Sequence, residues 1–486
     1  MGIPRGRATL AALAAVAVSA TAPAAAHAAS VKGSPGGGDP YFPKAGNGGY
    51  DVSHYNLHLR YRPRTNRLAA RATIDARAKK SLARFDLDFR HLRIKRLTVN
   101  GERARHSRRG QELMIRPRKG LRKGSRFEVR VRYRGHPRPV IDPDGSKDGW
   151  IPTDDGAFVA GEPQGAPTWF PCNDLLTDKA TYRVRVTVPR ARAAISNGKL
   201  VDRDVHGHRQ TFVWNENAPM ATYLATVTTG KFRVTRSRVD GIPSVVAVDP
   251  RESGKALKKM PAILKLFGSR FGSYPFGVVG GVVDHAPQVG YALETQTKPL
   301  FDRTPGDITV AHELSHQWFG DSVSLRRWHQ IWLNEGFATW AEWLWLEHKG
   351  GPTTRQIFES LYRGHAAKDR RFWNPPPGDP GGPKNLFDST IYNRGGMTLE
   401  ALRQEVGTLT FFQILRDWAR QHAYGNAGTK QFIDLAEADS GQDLGHFFHV
   451  WLYRPGKPHG WGHSARSIER AVPRARLGDM LATGLR

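Results

Sequence analysis

Near residue 250 the hydrophobic pattern of this sequence changes period, and that change sets its broad architecture. Before it, apolar residues recur at every second position: Tyr55, Leu57, Leu59 and Tyr61, then Phe85, Leu87 and Phe89, then Tyr182, Val184, Val186 and Val188. Alternation of this kind puts one face of a strand in a core and the other in water. Asn100-Gly101 and Asn197-Gly198 supply turn dipeptides. The expectation is an all-β domain over residues 49–248, built as a sandwich or saddle-shaped sheet. After it, residues 255–271 carry apolar side chains at helical spacing, 278–283 read as a short apolar strand, and helices dominate from 304 to about 453. The fold class is therefore an α+β multidomain chain whose second domain, 249–458, is mostly helical. A length of 486 residues fits more than one core.

The ends read differently. Arg5 and Arg7 precede an almost wholly apolar run from residue 8 to 20, and Ala26-His27-Ala28 is a small-x-small cleavage site. That three-part pattern is a secretory signal peptide over residues 1–28, so export is expected. Residues 29–48 are rich in Gly, Pro and Ser and are expected to be a flexible leader. Residues 459–486 form a basic, weakly patterned tail. Cys172 is the single cysteine, so an exported chain has no intrachain disulfide, and its apolar setting suits a buried structural thiol.

The formal charge is 73 − 44 = +29. Such a balance favours non-specific adhesion to anionic polymer, including anionic cell-wall polymer. Between Arg103 and Arg138 many basic residues alternate with Phe127, Val129, Val131 and Tyr133, as on a solvated sheet face. No nucleic-acid-binding motif is present, so specific nucleic-acid recognition is not expected.

The chemically informative segment is Val310-Ala311-His312-Glu313-Leu314-Ser315-His316, an H-E-x-x-H pattern. On a helix, positions i and i+4 share a face, so His312 and His316 aim two imidazoles at one point, as a zinc ion requires. Glu313 is rotated about 100° from His312. It lies beside the metal rather than on it, where it can take a proton from a metal-held water. Thr304 is expected to cap this helix, with Pro305 and Asp307 in its first turn and Gly320 at its stop. Glu335 follows nineteen residues after His316, in Asn334-Glu335-Gly336-Phe337-Ala338. That gap allows one helix to end and a second to run back with Glu335 facing the histidines. Two histidines and a glutamate leave zinc an open fourth position, the mark of a catalytic site.

With these motifs in order, the chain resembles the zinc aminopeptidases that include aminopeptidase N and the leukotriene-hydrolase-type enzymes, which are gluzincins. The resemblance covers about residues 50–458. Trp169-Phe170-Pro171-Cys172-Asn173-Asp174, Tyr392-Asn393-Arg394-Gly395 and Trp451-Leu452-Tyr453-Arg454-Pro455-Gly456 add to it. It implies a thermolysin-like catalytic domain, one Zn²⁺ per chain, and peptide substrates with a free N-terminus. Glu294, in Gly290-Tyr291-Ala292-Leu293-Glu294-Thr295, matches the glutamate that binds the substrate's α-ammonium. The match departs at Leu293 and Thr295, where the family carries Met and Asn. Tyr392 matches the tyrosine that hydrogen-bonds the oxyanion, and Glu162 matches a residue that helps hold the amine. Larger members continue into a helical domain that roofs the active site, so a more open cleft is expected here.

The expected reaction is metal-assisted hydrolysis of the first peptide bond, with Glu313 as base and then acid, Tyr392 on the oxyanion, and Glu294 with Glu162 on the amine. A zinc endopeptidase is the alternative should Glu294 face away from the cleft. A non-enzymatic, zinc-containing surface-binding protein is a further alternative, although such a site has no use for Glu313.

Overall fold

The computed structural model describes residues 1–2 and 31–460. The signal-peptide reading and the basic tail therefore lie outside the described residues, apart from a few residues at their edges.

The period-two segments pair into an eight-stranded sheet. Its neighbours in order are Lys199–His206, Arg209–Met220, Ala180–Pro189, Tyr50–Arg62, Arg67–Ala78, Arg126–Gly135, Arg93–Val99 and Glu102–Arg103. The alternation is obeyed strictly: Tyr55, Leu57, Leu59 and Tyr61 are buried, while Asn56, His58 and Arg60 face outward. Asn100 and Gly101 both adopt positive φ, as a tight hairpin turn demands. Asn197-Gly198 does something else. It carries the chain from Ala193–Ser196 in one sheet to Lys199–His206 in another. A smaller five-stranded sheet contains Lys147–Pro152, Ala157–Ala160, Val227–Gly230 and Ala193–Ser196, and a four-stranded sheet contains Leu82–Asp88 and Glu112–Arg116.

Two expectations about boundaries change. The strands Arg233–Val239 and Ile242–Val248 read as the end of the β domain, but Ile242–Val248 pairs in parallel with Val279–Val283. They belong to the sheet of the second domain, and the boundary falls between Gly230 and Arg233. Period two identifies a strand but not its sheet. The flexible leader is also corrected from residue 31 onward. Val31–Lys32 pairs with Leu82–Asp88, and Phe42 packs edge-on against Trp328 at 6.0 Å. Asp39 Oδ2 accepts the Trp328 N–H at 2.9 Å, and Arg327 donates to the Gly38 carbonyl. The glycines here serve backbone shape: Gly36 and Gly38 sit at φ +85° and +80°. The segment thus straps the β domain to the helical one.

In the second domain the sheet is flanked by α1 (Met260–Phe271), α2 (Asp307–Ser315), α3 (Trp332–His348), α4 (Thr354–Gly364), the single turn α5 (Arg370–Trp373), α6 (Ser389–Val406), α7 (Thr408–Gln421) and α8 (Thr429–Ser440). Nearly all of α3 is buried, including Trp332, Trp340, Trp343 and Trp345. A helix apolar on every side must be a central one. It packs on α6 through Gly336 and Gly395. A methyl on Gly395 would lie 2.8 Å from the Gly336 backbone, so only glycine permits this approach.

Among the described residues, no helix is long and apolar enough to cross a membrane.

Candidate metal centre and its surroundings

The H-E-x-x-H segment forms α2, but it is capped differently from expectation. Gly306 is the N-cap residue, and Thr304 instead donates its hydroxyl to Glu252 Oε2 at 2.6 Å. Asp307 does occupy the first turn, where it accepts from Lys349 Nζ at 2.6 Å. The helix ends at Ser315, and His316 is its C-cap residue. His316 keeps right-handed helical dihedrals, so the i, i+4 relation to His312 survives. Gly320, at φ +142°, then turns the chain away.

Glu335 sits in the first turn of α3 and faces both histidines. Its Oε2 lies 3.2 Å from His312 Nε2 and 3.6 Å from His316 Nε2. One ligand atom from each of the three residues lies within 4.8 Å of the others, and all three residues are buried. The far nitrogen of each ring is occupied. His312 Nδ1 meets Glu342 Oε1 at 2.5 Å, and His316 Nδ1 meets the Phe319 carbonyl at 3.1 Å. Those acceptors place a proton on each Nδ1, so that in the neutral ring the lone pair of Nε2 turns inward, the state in which imidazole binds a metal.

The electrostatics agree with a cation at this point. Burial holds the His316 pKa down at about 4, so that ring is neutral. For His312 burial also opposes charge, but hydrogen bonds to Glu335 and Glu342 outweigh it and raise the pKa. Two carboxylates around one buried imidazole make a pocket that attracts positive charge. Two nitrogens and a carboxylate oxygen suit a divalent transition ion such as zinc.

The structure brings the remaining predicted residues toward this centre. Glu313, Glu294 and His316 form a second buried group whose ligand-type atoms lie within 4.8 Å of one another. The Tyr392 ring stacks beside that of His312, with centroids 6.1 Å apart and planes at 29°. Glu162 is buried, and its charge acts on the buried phenol of Tyr223 along with that of Glu294.

Several supporting residues escaped the sequence reading. Glu342 orients His312; it is a buried carboxylate two turns after Glu335, set between Trp340 and Trp343 on a tryptophan-rich helix, which was the signal available. Gln317 donates to the Glu294 carbonyl at 3.1 Å and accepts the Thr297 N–H at 2.8 Å. It therefore ties the segment that carries Glu294 to the chain just after His316. From the β domain, Asp148 accepts the Tyr291 hydroxyl at 2.7 Å and anchors the other end of that segment. Buried Tyr223 stands in the field of Glu294, Glu162, Asp321 and Glu335, and burial with those charges raises its pKa well above the usual phenol range.

Two motifs meet at Arg394. Its guanidinium is fully buried and donates to the carbonyls of Trp451 (2.9 Å), Trp373 (2.6 Å), Val450 (2.9 Å) and Arg454 (2.7 Å). The Tyr392-Asn393-Arg394-Gly395 stretch is thereby tied to residues 450–454, and α6 is locked beside Tyr392.

Known proteins resemble this chain along both of its domains. Residues 292–451 match the peptidase family M1 domain, and residues 52–224 match the peptidase M1 N-terminal domain. The crystal structure of an M1 zinc metallopeptidase from Deinococcus radiodurans superposes with a TM-score of 0.78 at 28% identity, covering 87% of this chain and 99% of that one. A mutant of that enzyme bound to a Tyr-Ser-Ala substrate gives a TM-score of 0.78 at 27% identity, with coverages of 87% and 99%. Aminopeptidase M1 of Arabidopsis thaliana is 29% identical over 327 residues, which are 61% of this chain and 36% of the plant protein. The match thus spans only about a third of that relative's length.

Proposed function

The chain belongs to peptidase family M1, and from that premise we propose that it removes single residues from the free N-termini of peptides by zinc-assisted hydrolysis. The observation that carries the exopeptidase reading is the position of Glu294. Its carboxylate lies within 4.8 Å of ligand-type atoms of Glu313 and His316. A buried carboxylate so near the hydrolytic base holds a substrate ammonium one residue from the bond to be cut.

His312, His316 and Glu335 would hold the zinc. When bound, it supplies Lewis acidity that polarises the carbonyl and eases deprotonation of a water. The protein's own groups do the rest. Glu313 takes the proton from the attacking water and returns it to the leaving nitrogen. The Tyr392 hydroxyl, a neutral donor at pH 7, donates to the oxyanion of the tetrahedral intermediate. Glu294, with Glu162, pairs with the α-ammonium and sets the register. Glu342 holds His312 in the tautomer the metal needs.

Acetylating the substrate's N-terminus tests this. It removes the charge that Glu294 recognises, and loss of a buried charge-assisted pair costs roughly 2–5 kcal/mol. Cleavage should fall by at least about tenfold, up to about a thousandfold. Glu294→Ala should narrow the gap between free and blocked peptides. Equal cleavage of both by the unmutated protein, or internal cuts in a long unblocked peptide, would identify an endopeptidase instead. Glu313→Gln, which keeps every metal ligand, should abolish turnover at full zinc content.

We propose further that the protein is exported, on the signal-peptide pattern of residues 1–28. Amino-terminal sequencing of the protein from culture medium decides it: a start near residue 29 supports export, and retention of residue 1 in the cell refutes it.

A further inference from the structure

The outward face of the eight-stranded sheet stacks arginine against arginine. Arg71 pairs across strands with Arg132, and Arg132 with Arg96 on its other side. Arg134 pairs with Arg93, Arg62 with Arg67, and Arg77 with Arg126. On the far side of the first row, His58 lies between Arg71 and Arg185. The Arg71 guanidinium donates to a ring nitrogen of His58 at 3.4 Å, so that ring sits in the row as a neutral spacer.

Like charges placed directly opposite on a sheet are destabilising. Here the penalty recurs over neighbouring strands, and acids offset it only toward one end, where Asp51 lies opposite Arg77. Among the described residues, the only ion pairs on this face are Arg130 with Glu128 and Lys79 with Asp51, both near one end. Arg62, Arg71, Arg96, Arg132 and Arg134 are exposed. Packing alone does not favour such a lattice. Backbone spacing sets the opposed residues of a row about 4.8 Å apart across strands, and along Arg126–Gly135 the successive outward positions 130, 132 and 134, about 6.7 Å apart, are all arginine. Guanidinium is the group best matched to phosphate.

We propose that this face binds a flexible linear phosphodiester polymer lacking bases, of the alditol-phosphate type, through its backbone charge alone. Two features of the surface select that occupant. The exposed large hydrophobic residues elsewhere on the molecule, such as Leu409 and Tyr424, have no counterpart in these arginine rows, so nothing there wedges into lipid. The rows also lack the exposed aromatic rings on which bases of single-stranded nucleic acid stack. The inference is independent of the peptidase reading, since none of these residues belongs to the metal centre or its surroundings.

Binding of a synthetic glycerol-phosphate oligomer to the full chain, measured against salt, is the test. For a flexible polyanion each neutralised phosphate contributes about −0.7 to the slope of log K on log salt. Arg71→Gln with Arg132→Gln should reduce that slope by about 1.4 units. Arg355→Gln with Arg420→Gln, which removes the same charge from the helical domain, should leave it unchanged. Hydrolysis of a neutral aminoacyl amide should be the same in all forms. An equal loss in the two double variants would reduce the effect to net charge and overturn the assignment of this face. Tighter binding of a single-stranded oligonucleotide at equal phosphate would make it a nucleic-acid surface, and binding only to anionic vesicles would make it a membrane surface. Either outcome overturns the proposal.

Discussion

Glu342 Oε1 lies 2.5 Å from His312 Nδ1, on the same helix as Glu335 and two turns farther along. One helix thus supplies both the third metal-binding group and the carboxylate that orients the first. Glu342→Gln keeps a hydrogen-bond acceptor but removes the charge that strengthens the imidazole as a donor to metal. Zinc affinity should fall about 10–100-fold, as for other outer partners of metal-bound histidine. A chelator titration with a metal-sensitive dye measures it, and an unchanged affinity would reduce Glu342 to a packing residue.

Tyr392→Phe removes one hydroxyl and leaves the ring stacked beside His312. Fold and zinc content should be unchanged, and kcat should drop by about 10²–10³-fold with little change in KM. A rise confined to KM would make Tyr392 a ground-state contact.

Gly395→Ala and Gly396→Ala separate the helix approach from ordinary helix propensity. The first places a methyl 2.8 Å from the Gly336 backbone, which cannot yield without moving α3 from α6. The second meets side-chain atoms of Thr339 and Trp343 at 3.1 Å and beyond, which can shift. Gly395→Ala should destabilise by about 1–3 kcal/mol and reduce activity by displacing Tyr392 from Glu335. Gly396→Ala should be nearly neutral, because alanine regains about 1 kcal/mol of helix propensity. Urea midpoints for both variants decide it.

Asp284 gives a pH-dependent term. Burial, with the charges of Asp155 and Asp249, raises its pKa from 3.8 to about 8, against the His285 N–H and Arg251, which lower it. A carboxyl with a raised folded-state pKa binds its proton more tightly when folded. Its contribution is therefore most favourable below about pH 4 and is lost as pH rises through about 8. Asp284→Asn keeps an acceptor for the His285 N–H and cannot ionise. The stability of Asp284→Asn relative to the parent should increase across that window, by at most about 1.4 kcal/mol per pH unit. A flat difference between the two denaturation series would mean that Asp284 is solvated in solution.

The sequence by itself determined the three groups that converge at the candidate metal centre, because each rests on a short-range rule, whereas Glu294, Tyr392 and Glu162 were legible only through the family resemblance. Four residues on a helix bring His312 and His316 to one face, and a nineteen-residue gap is enough chain to return Glu335. Period two named most of the strands for the same reason. Pairing across the fold was decided only by tertiary structure. Alternation in Ile242–Val248 is identical whether it joins the β domain or lies beside Val279–Val283. The glycines of residues 31–48 signal backbone freedom, and only contacts with Trp328 and Leu82–Asp88 turn that freedom into a strap. The acceptor for His312 Nδ1, the Gln317 tether on Glu294 and the cross-strand register of Arg71 with Arg132 are likewise contacts between residues distant in sequence or on different elements. Local patterning specifies which groups a chain possesses and which face they share; which groups meet is set by the packing of whole elements, where a single close approach such as Gly336 on Gly395 fixes the geometry of an entire site.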